Sequence, residues 1–215
     1  MITLLKGNSM NNDKKMIWVA KLVSIAFTPF YLPLVGLVIL FLFSNLRYLP
    51  WGYQLNVLFM VYIFTILLPT LLIRVYRRYQ GWNLIELGRK ERRIVPYIIS
   101  ILCYFTCYYV MSALRIPHFM GSILVTALMI QVICAIINVW WKISTHSAAI
   151  GGVAGALIAF SVFFFFNPVW WLCLVFLLGG IIGTCRMILR QHSLAQVLVG
   201  FWVGFLCAAI AILFL

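Results

Sequence analysis

Long apolar stretches separated by short polar segments make up most of the chain. They lie at residues 17–43, 53–75, 96–114, 119–139, 147–166, 169–185 and 195–215. A helix needs about twenty apolar residues to cross a bilayer, so each stretch is a candidate membrane span. The first is unusually long and contains Pro29 and Pro33, which favours an interfacial helix that leads into a shorter span. The pattern predicts an all-α membrane bundle of six or seven spans.

The polar start of the chain differs from everything that follows it. Residues 1–16 are rich in Asn and Lys, and this composition indicates a mobile basic tail. Residues 17–215 are then expected to form a single membrane-embedded domain. The overall composition of 66% hydrophobic and 9% charged residues agrees, because a water-soluble domain does not have so few charges.

The charges are strongly unbalanced and narrow the possible chemistry. Sixteen Lys and Arg face only three Asp and Glu. A carboxylate-held Mg²⁺ or Ca²⁺ site and paired-carboxylate catalysis are therefore not expected, and we predict neither a metal nor another cofactor. The net charge of +13 is spread over short loops rather than along one stripe. This distribution indicates anionic lipid or a phosphorylated substrate as the partner, and not nucleic acid.

The six cysteines all lie in or beside apolar runs, without the paired spacing of a zinc site or the loop framework of a disulfide-rich domain. We interpret them as small core residues.

The connecting loops alternate in charge along the chain. Most of the basic residues lie in the loops 76–95, 140–146 and 186–194. Two spans separate each of these loops from the next, so all three are expected on one membrane face, which we call the basic face. Because cytoplasmic loops carry an excess of Lys and Arg, this distribution favours a cytoplasmic basic face.

Small residues recur at every fourth position in the last three spans. The pairs are Gly151 with Gly155, Gly179 with Gly183, and Gly200 with Gly204. This spacing predicts that the three helix backbones approach closely, as small residues allow in lipid. Close packing of these spans would bring the second and third basic loops together.

Two histidines on the basic face lie among groups that bind phosphate. His146 follows Lys142 and Ser144 and directly precedes a helix of small residues, and His192 follows Arg186. Helix N-termini, hydroxyls and guanidinium groups stabilise phosphate charge, while an imidazole can attack phosphorus or deliver a proton. The pattern indicates phosphoryl transfer without a metal ion.

Three motifs in this part of the chain resemble those of the type 2 phosphatidic acid phosphatases, membrane enzymes that remove phosphate from lipids. That family has the motifs Lys-x6-Arg-Pro, Pro-Ser-Gly-His and Ser-Arg-x5-His-x3-Asp. In this chain the third reads Cys185-Arg186-x5-His192-x3-Gln196, the second Ile143-Ser144-Thr145-His146, and the first a degenerate Arg89-Lys90-Glu91-Arg92-Arg93-x2-Pro96. The resemblance covers residues 89–204, with the motifs in the family order.

The resemblance implies a role for each matched residue. His192 would be the nucleophile that forms a phosphohistidine, and His146 the acid that protonates the departing alcohol and later activates water. Arg186 would clamp the phosphate, which Ser144 would also contact. The implied reaction is hydrolysis of a lipid phosphomonoester or diphosphate, with a phospholipid, a polyprenyl phosphate or a glycolipid phosphate as the substrate.

The chain departs from the family pattern at two places. Gln196 replaces the Asp that orients the nucleophilic imidazole, and Ser193-x-x-Gln196 is also a capping-box pattern, so Gln196 is interpreted as orienter, cap or both. In the first motif, Arg89, Lys90, Arg92 and Arg93 either bind phosphate, with Arg93 favoured by its closeness to Pro96, or form a basic loop among lipid headgroups. Lys142 is likewise either a phosphate ligand or an interfacial cation.

Two other functions agree with the same residues. One is transfer of phosphate from a lipid to another acceptor, and the other is non-catalytic binding or carriage of a lipid phosphate. The expected location is the cell (inner) membrane. The side of the site stays open, because the resemblance implies an exterior site whereas the charge distribution favours a cytoplasmic one.

Overall fold

The computed structural model describes residues 2–43, 48–81 and 94–214, which contain helices and no strand. The helices are α1 Ile2–Ala26, a 3-10 turn Pro29–Tyr31, α2 Leu32–Phe43, α3 Trp51–Tyr62, a π turn Ile63–Leu67, α4 Leu68–Tyr79, α5 Ile94–Ala113, α6 His118–Trp140, α7 Thr145–Phe164, α8 Val169–Ile188 and α9 Leu194–Phe214.

Seven helical segments of the described chain are long and apolar enough to cross a membrane. They are Lys14–Phe41, Trp51–Tyr79, Ile94–Ala113, His118–Trp140, Thr145–Phe164, Val169–Ile188 and Leu194–Phe214. The prediction of an all-α polytopic bundle is confirmed, with the higher of the two expected span counts. The chain is a multi-pass membrane protein.

The first of these segments is broken at its prolines. α1 ends at Ala26, Thr28 has an extended backbone, and Pro29 opens the 3-10 turn before α2. α1 packs against α8, whereas α2 packs against α3 and α6. With twelve residues α2 is about 18 Å long, less than the roughly 30 Å of a hydrocarbon core. The backbone of residues 2–16 is helical, so this part of the predicted tail belongs to α1.

α7 and α9 form the most closely packed helix pair, and glycines make the contact possible. A Cβ atom built on Gly151 or Gly155 would overlap a backbone carbonyl of α9, and one on Gly204 would overlap the carbonyl of Ala148. On α8, a Cβ at Gly183 would lie 2.8 Å from the Val197 side chain. The predicted close approach of helix backbones is confirmed for α7 and α9, whereas the pair of α8 glycines contacts side chains of these two helices.

Five of the six cysteines are buried, as expected, but Cys173 is exposed. The prediction that all six are core residues is wrong at this position. Cys173 lies near the start of α8, a helix that buries only part of its surface against its neighbours. A small, weakly polar side chain facing lipid has little desolvation cost, so an apolar run does not by itself indicate a core position.

The second and third basic loops meet at one end of the bundle. The Ser144 N–H, just before α7, donates to the Gln196 main-chain carbonyl in the first turn of α9 at 3.4 Å. Ile143, beside Ser144, is fully buried in a small apolar cluster against which Tyr97, near the start of α5, packs. The predicted shared face is therefore confirmed for these two loops, and the α5 end of the first loop lies beside them.

Candidate functional site

The loop that carries His146 is fixed to the start of α9. Ser144 caps α7: its Oγ accepts from the Ser147 N–H at 3.4 Å and exchanges a 2.9 Å hydrogen bond with the Ser147 hydroxyl. The Ser144 side chain is fully buried. The main-chain carbonyl oxygen of Ser144 would lie 2.6 Å from a Cβ atom built on Gly200, so only glycine at this position of α9 permits the approach. The rigid contact fixes where α7 begins and hence where His146 lies.

A tight turn after α8 returns the chain from Arg186 to His192. The Gln191 N–H donates to the Arg186 carbonyl at 3.1 Å, and the Arg190 N–H donates to the Met187 carbonyl at 2.8 Å. Arg190 has a left-handed φ of 51°, the conformation that usually selects glycine after a helix. These two bonds form a Schellman motif, which brings His192 to the start of α9.

The side chain of His192 is held in one tautomer by Gln196. Gln196 Oε1 accepts from the Ser193 backbone N–H at 3.2 Å, and because that N–H can only donate, the atom facing it is the amide oxygen. The same oxygen lies 3.2 Å from His192 Nδ1, so Nδ1 carries the proton and donates it. In this neutral tautomer His192 Nε2 is the ring nitrogen without a proton.

Gln196 therefore has both of the predicted roles. The Gln196 N–H donates to Ser193 Oγ at 3.4 Å, which completes the capping box of α9, and the side chain orients the His192 imidazole. Both functions use the same amide oxygen. The capping hydrogen bonds hold the Gln196 side chain in place, and Gln196 in turn holds the ring of His192. His192 is buried.

Ser24 of α1 joins Arg186 to His146. Nη1 of Arg186 donates to the Ser24 hydroxyl at 2.6 Å, and His146 Nε2 donates to the Ser24 carbonyl at 3.1 Å. Both Ser24 and Arg186 are buried. Since a carbonyl only accepts, Nε2 of His146 carries a proton in this arrangement. Ser24 was not predicted from the sequence, where its only signal is a hydroxyl in an apolar segment.

An apolar cavity of about 470 Å³ lies between α2, α5, α6 and α7, and Arg186 and His146 line part of it. Most other lining residues are apolar, among them Ile123, Ala156 and Phe160. An ionisable side chain within a membrane bundle is costly and usually marks a functional site. The cavity combines cationic groups with a long hydrocarbon wall, the two properties that a phosphorylated lipid requires.

The structure brings together five of the residues predicted from the sequence. Ser144, His146, Arg186, His192 and Gln196 lie at the adjoining ends of α7, α8 and α9.

The other predicted phosphate ligands are Lys142 and the four basic residues of the first motif. Lys142 is partly exposed in the loop before α7. Arg89, Lys90, Arg92 and Arg93 lie outside the described residues. Ser144 stays a predicted phosphate ligand, although its hydroxyl is engaged as the α7 cap.

No known protein family, curated protein or solved structure matches the chain. The likeness of its motifs to those of the type 2 phosphatidic acid phosphatases therefore stays a resemblance of short segments. The features of the described chain that bear on function are the side chains at the ends of α7, α8 and α9 and the cavity beside them.

Proposed function

We propose that the protein is a metal-independent lipid phosphatase that forms a phosphohistidine on His192. The observation that carries the proposal is the His192 Nδ1–H bond to Gln196, which leaves Nε2 as a nucleophile. Arg186 and His146, joined through Ser24, line the neighbouring cavity. A nucleophile, a guanidinium and a second imidazole on one membrane face are the groups that phosphoryl transfer needs.

In the first step the Nε2 lone pair of His192 attacks phosphorus as the bond to the lipid oxygen breaks. Arg186 neutralises the charge on the phosphoryl oxygens, where a guanidinium can bind two oxygens at once. His146 in its imidazolium form gives a proton to the departing lipid oxygen. Because the Ser24 carbonyl holds the Nε2 proton of His146, the proton that is transferred is the one on Nδ1.

In the second step water attacks the phosphohistidine. His146, now neutral, accepts a proton from that water, the phosphorus–nitrogen bond breaks, and inorganic phosphate leaves. His192 returns to the neutral form with its Nδ1 proton still directed at Gln196. The roles of the two histidines are therefore unequal, since only His192 forms a bond to phosphorus.

Gln196 supports this chemistry less strongly than an aspartate would. Its amide oxygen fixes the imidazole orientation and tautomer, but it has no charge to stabilise a positively charged ring. We expect turnover below that of a site with aspartate at this position. The same feature favours the alternative of a lipid-phosphate binder or carrier on this fold, which would bind the lipid without releasing phosphate.

The lipid character of the substrate follows from the surroundings of the site. The groups that would hold phosphate adjoin an apolar cavity inside a membrane bundle. A phospholipid, a polyprenyl phosphate or a glycolipid phosphate has the required chemistry, and the cell (inner) membrane is the proposed location. Transfer of the phosphoryl group to an acceptor other than water would use the same intermediate.

Phosphate release by the purified protein from a panel of lipid phosphates, with and without EDTA, tests the proposal. We expect release that is unchanged by the chelator, because the sequence has only three carboxylates and none lies in the two better-matched motifs. An absolute requirement for added Mg²⁺ or Zn²⁺ would overturn the mechanism. Tight lipid binding without release would favour the carrier, and release only with an added acceptor would favour the transferase.

A further inference from the structure

We propose that the cavity beside Arg186 and His146 binds one hydrocarbon chain of the substrate, extended along α7, and that the residues at its far end limit the length of this chain. The inference rests on the proposed function. It adds how the lipid is held and which part of the protein selects it.

The cavity extends along almost the whole of α7. His146, in the first turn of the helix, and Phe164, its last residue, both line it. At 1.5 Å per residue these two positions are about 27 Å apart, close to the roughly 30 Å thickness of a hydrocarbon core. A chain that entered at the basic face could therefore extend towards the opposite face without leaving the cavity.

The cavity is large enough to hold a hydrocarbon chain. Its volume of about 470 Å³ is many times the roughly 30 Å³ that a water molecule, similar in size to a methylene group, occupies in the liquid. The elongated shape along one helix favours a single extended chain as the occupant.

The charges of the cavity wall define the direction of the bound lipid. Among the described residues that line the cavity, His146 and Arg186 are the ones that can carry a positive charge, and both lie towards the basic face. The opposite end is lined by aromatic and aliphatic side chains, including Phe160, Phe164 and Ile212. A molecule with an anionic end and a long apolar tail fits in one orientation only.

The sizes of the side chains along α7 indicate which positions limit the length of the bound hydrocarbon chain. Ala156 lies about 15 Å along α7 from His146, and its small side chain leaves the cavity open at that depth. Phe160 lies one turn further along α7 and lines the cavity with a much larger side chain. A larger side chain at Ala156 should exclude long hydrocarbon chains from the cavity. A smaller side chain at Phe160 should admit longer ones.

The test compares octyl, hexadecyl and docosyl phosphate, with 8, 16 and 22 carbons, as substrates for Ala156→Phe, Phe160→Ala and the parent protein. The quantity measured is the ratio of variant to parent kcat/KM for phosphate release, which cancels differences in how the substrates partition into detergent. Gly180→Phe is the matched control, because nothing lies within 4 Å of a Cβ at this exposed position of α8.

We expect Ala156→Phe to lower kcat/KM for hexadecyl phosphate about tenfold or more, because a filled space must be forced open to admit the chain. Octyl phosphate and the control variant should stay near parent values. Phe160→Ala should raise the rate for chains longer than hexadecyl, and it keeps the test decisive if Ala156→Phe fails to fold.

The two proposals fail in different ways. If the parent releases phosphate from neither alkyl phosphate nor any lipid phosphate, the phosphatase proposal is wrong. If the parent is active but both variants change the rates for short and long chains equally, the chain lies elsewhere and the cavity proposal is wrong.

Discussion

At the scale of single residues, the arrangement of the site depends on acceptors that each serve two donors. Gln196 Oε1 accepts from Ser193 and from His192, and Ser24 accepts from Arg186 through its hydroxyl and from His146 through its carbonyl. Because a buried polar group is costly to leave without a partner, such shared acceptors restrict the side chains to one arrangement.

Replacing His192 or His146 by alanine should change the activity in different ways. His192→Ala should abolish phosphate release from every substrate, because it removes the nucleophile. His146→Ala should slow the first step, in which the leaving oxygen departs, by roughly 10²- to 10⁴-fold for a lipid phosphate, and far less for 4-nitrophenyl phosphate, whose leaving group needs no proton. Hydrolysis of the phosphohistidine, which also uses His146, should be slow with both substrates. Single-turnover rates of alcohol or nitrophenol release by both variants provide the measurement. Equal losses of the first step on the two substrates would show that the roles are misassigned.

A conservative substitution separates the effect of the positive charge of Arg186 from the effect of its planar shape. Arg186→Lys keeps the positive charge but loses the planar fork that binds two oxygens and reaches Ser24. We expect kcat/KM to fall on the order of 10²-fold, the usual cost of losing one such contact to the reacting group. Arg190→Lys, in the turn after α8, is the control and should keep near-parent activity. Parent-like activity of Arg186→Lys would make Arg186 an interfacial anchor.

The local contacts of the site could be predicted from the sequence, whereas the distant one could not. Ser193, Gln196 and His192 lie within one helical turn, so their spacing alone defines the capping box and the orienting bond. Ser24 lies 162 positions before Arg186, and its contact depends on how α1 packs against α8. No periodicity in the sequence encodes that packing.

At the scale of helices, the glycines of α7 and α9 set how closely the site residues approach. The spacing of these glycines predicted a close contact, and the structure adds its partners, which are backbone carbonyls rather than side chains. A carbonyl in a helix cannot rotate away from a new methyl group. Alanine at these positions must therefore separate the helices.

Gly204→Ala should destabilise the protein by about 2 kcal/mol, as overpacking of a close contact typically does. A Cβ at this position would overlap the carbonyl of Ala148, which lies in the first turn of α7 beside His146. Gly180→Ala should be neutral, since nothing lies near its Cβ. Thermal unfolding in detergent of the two variants beside the parent gives the comparison. Equal stability of both variants would contradict the close α7–α9 contact.

At the scale of the whole molecule, the fold could be predicted from the sequence because a bilayer restricts which structures can cross it. A membrane-spanning segment must satisfy its backbone by forming a helix, so apolar length alone predicted the seven segments, with ends within a few residues of those observed. The cavity was not predictable, because it arises from the shapes of four helices together. Pro29 indicated the break in the first segment. Nothing in the sequence indicated that α1 packs against α8.

The central claim is that His192 carries the phosphoryl group, and trapping of the intermediate tests it most directly. In His146→Ala the proton acceptor for water is missing, so ³²P-labelled 4-nitrophenyl phosphate should give a burst of nitrophenol and an acid-labile label on the peptide that contains His192. The same experiment with the His146→Ala, His192→Ala double variant should give neither. Steady phosphate release by the parent with no label in His146→Ala, or with a label on another residue, would contradict the account.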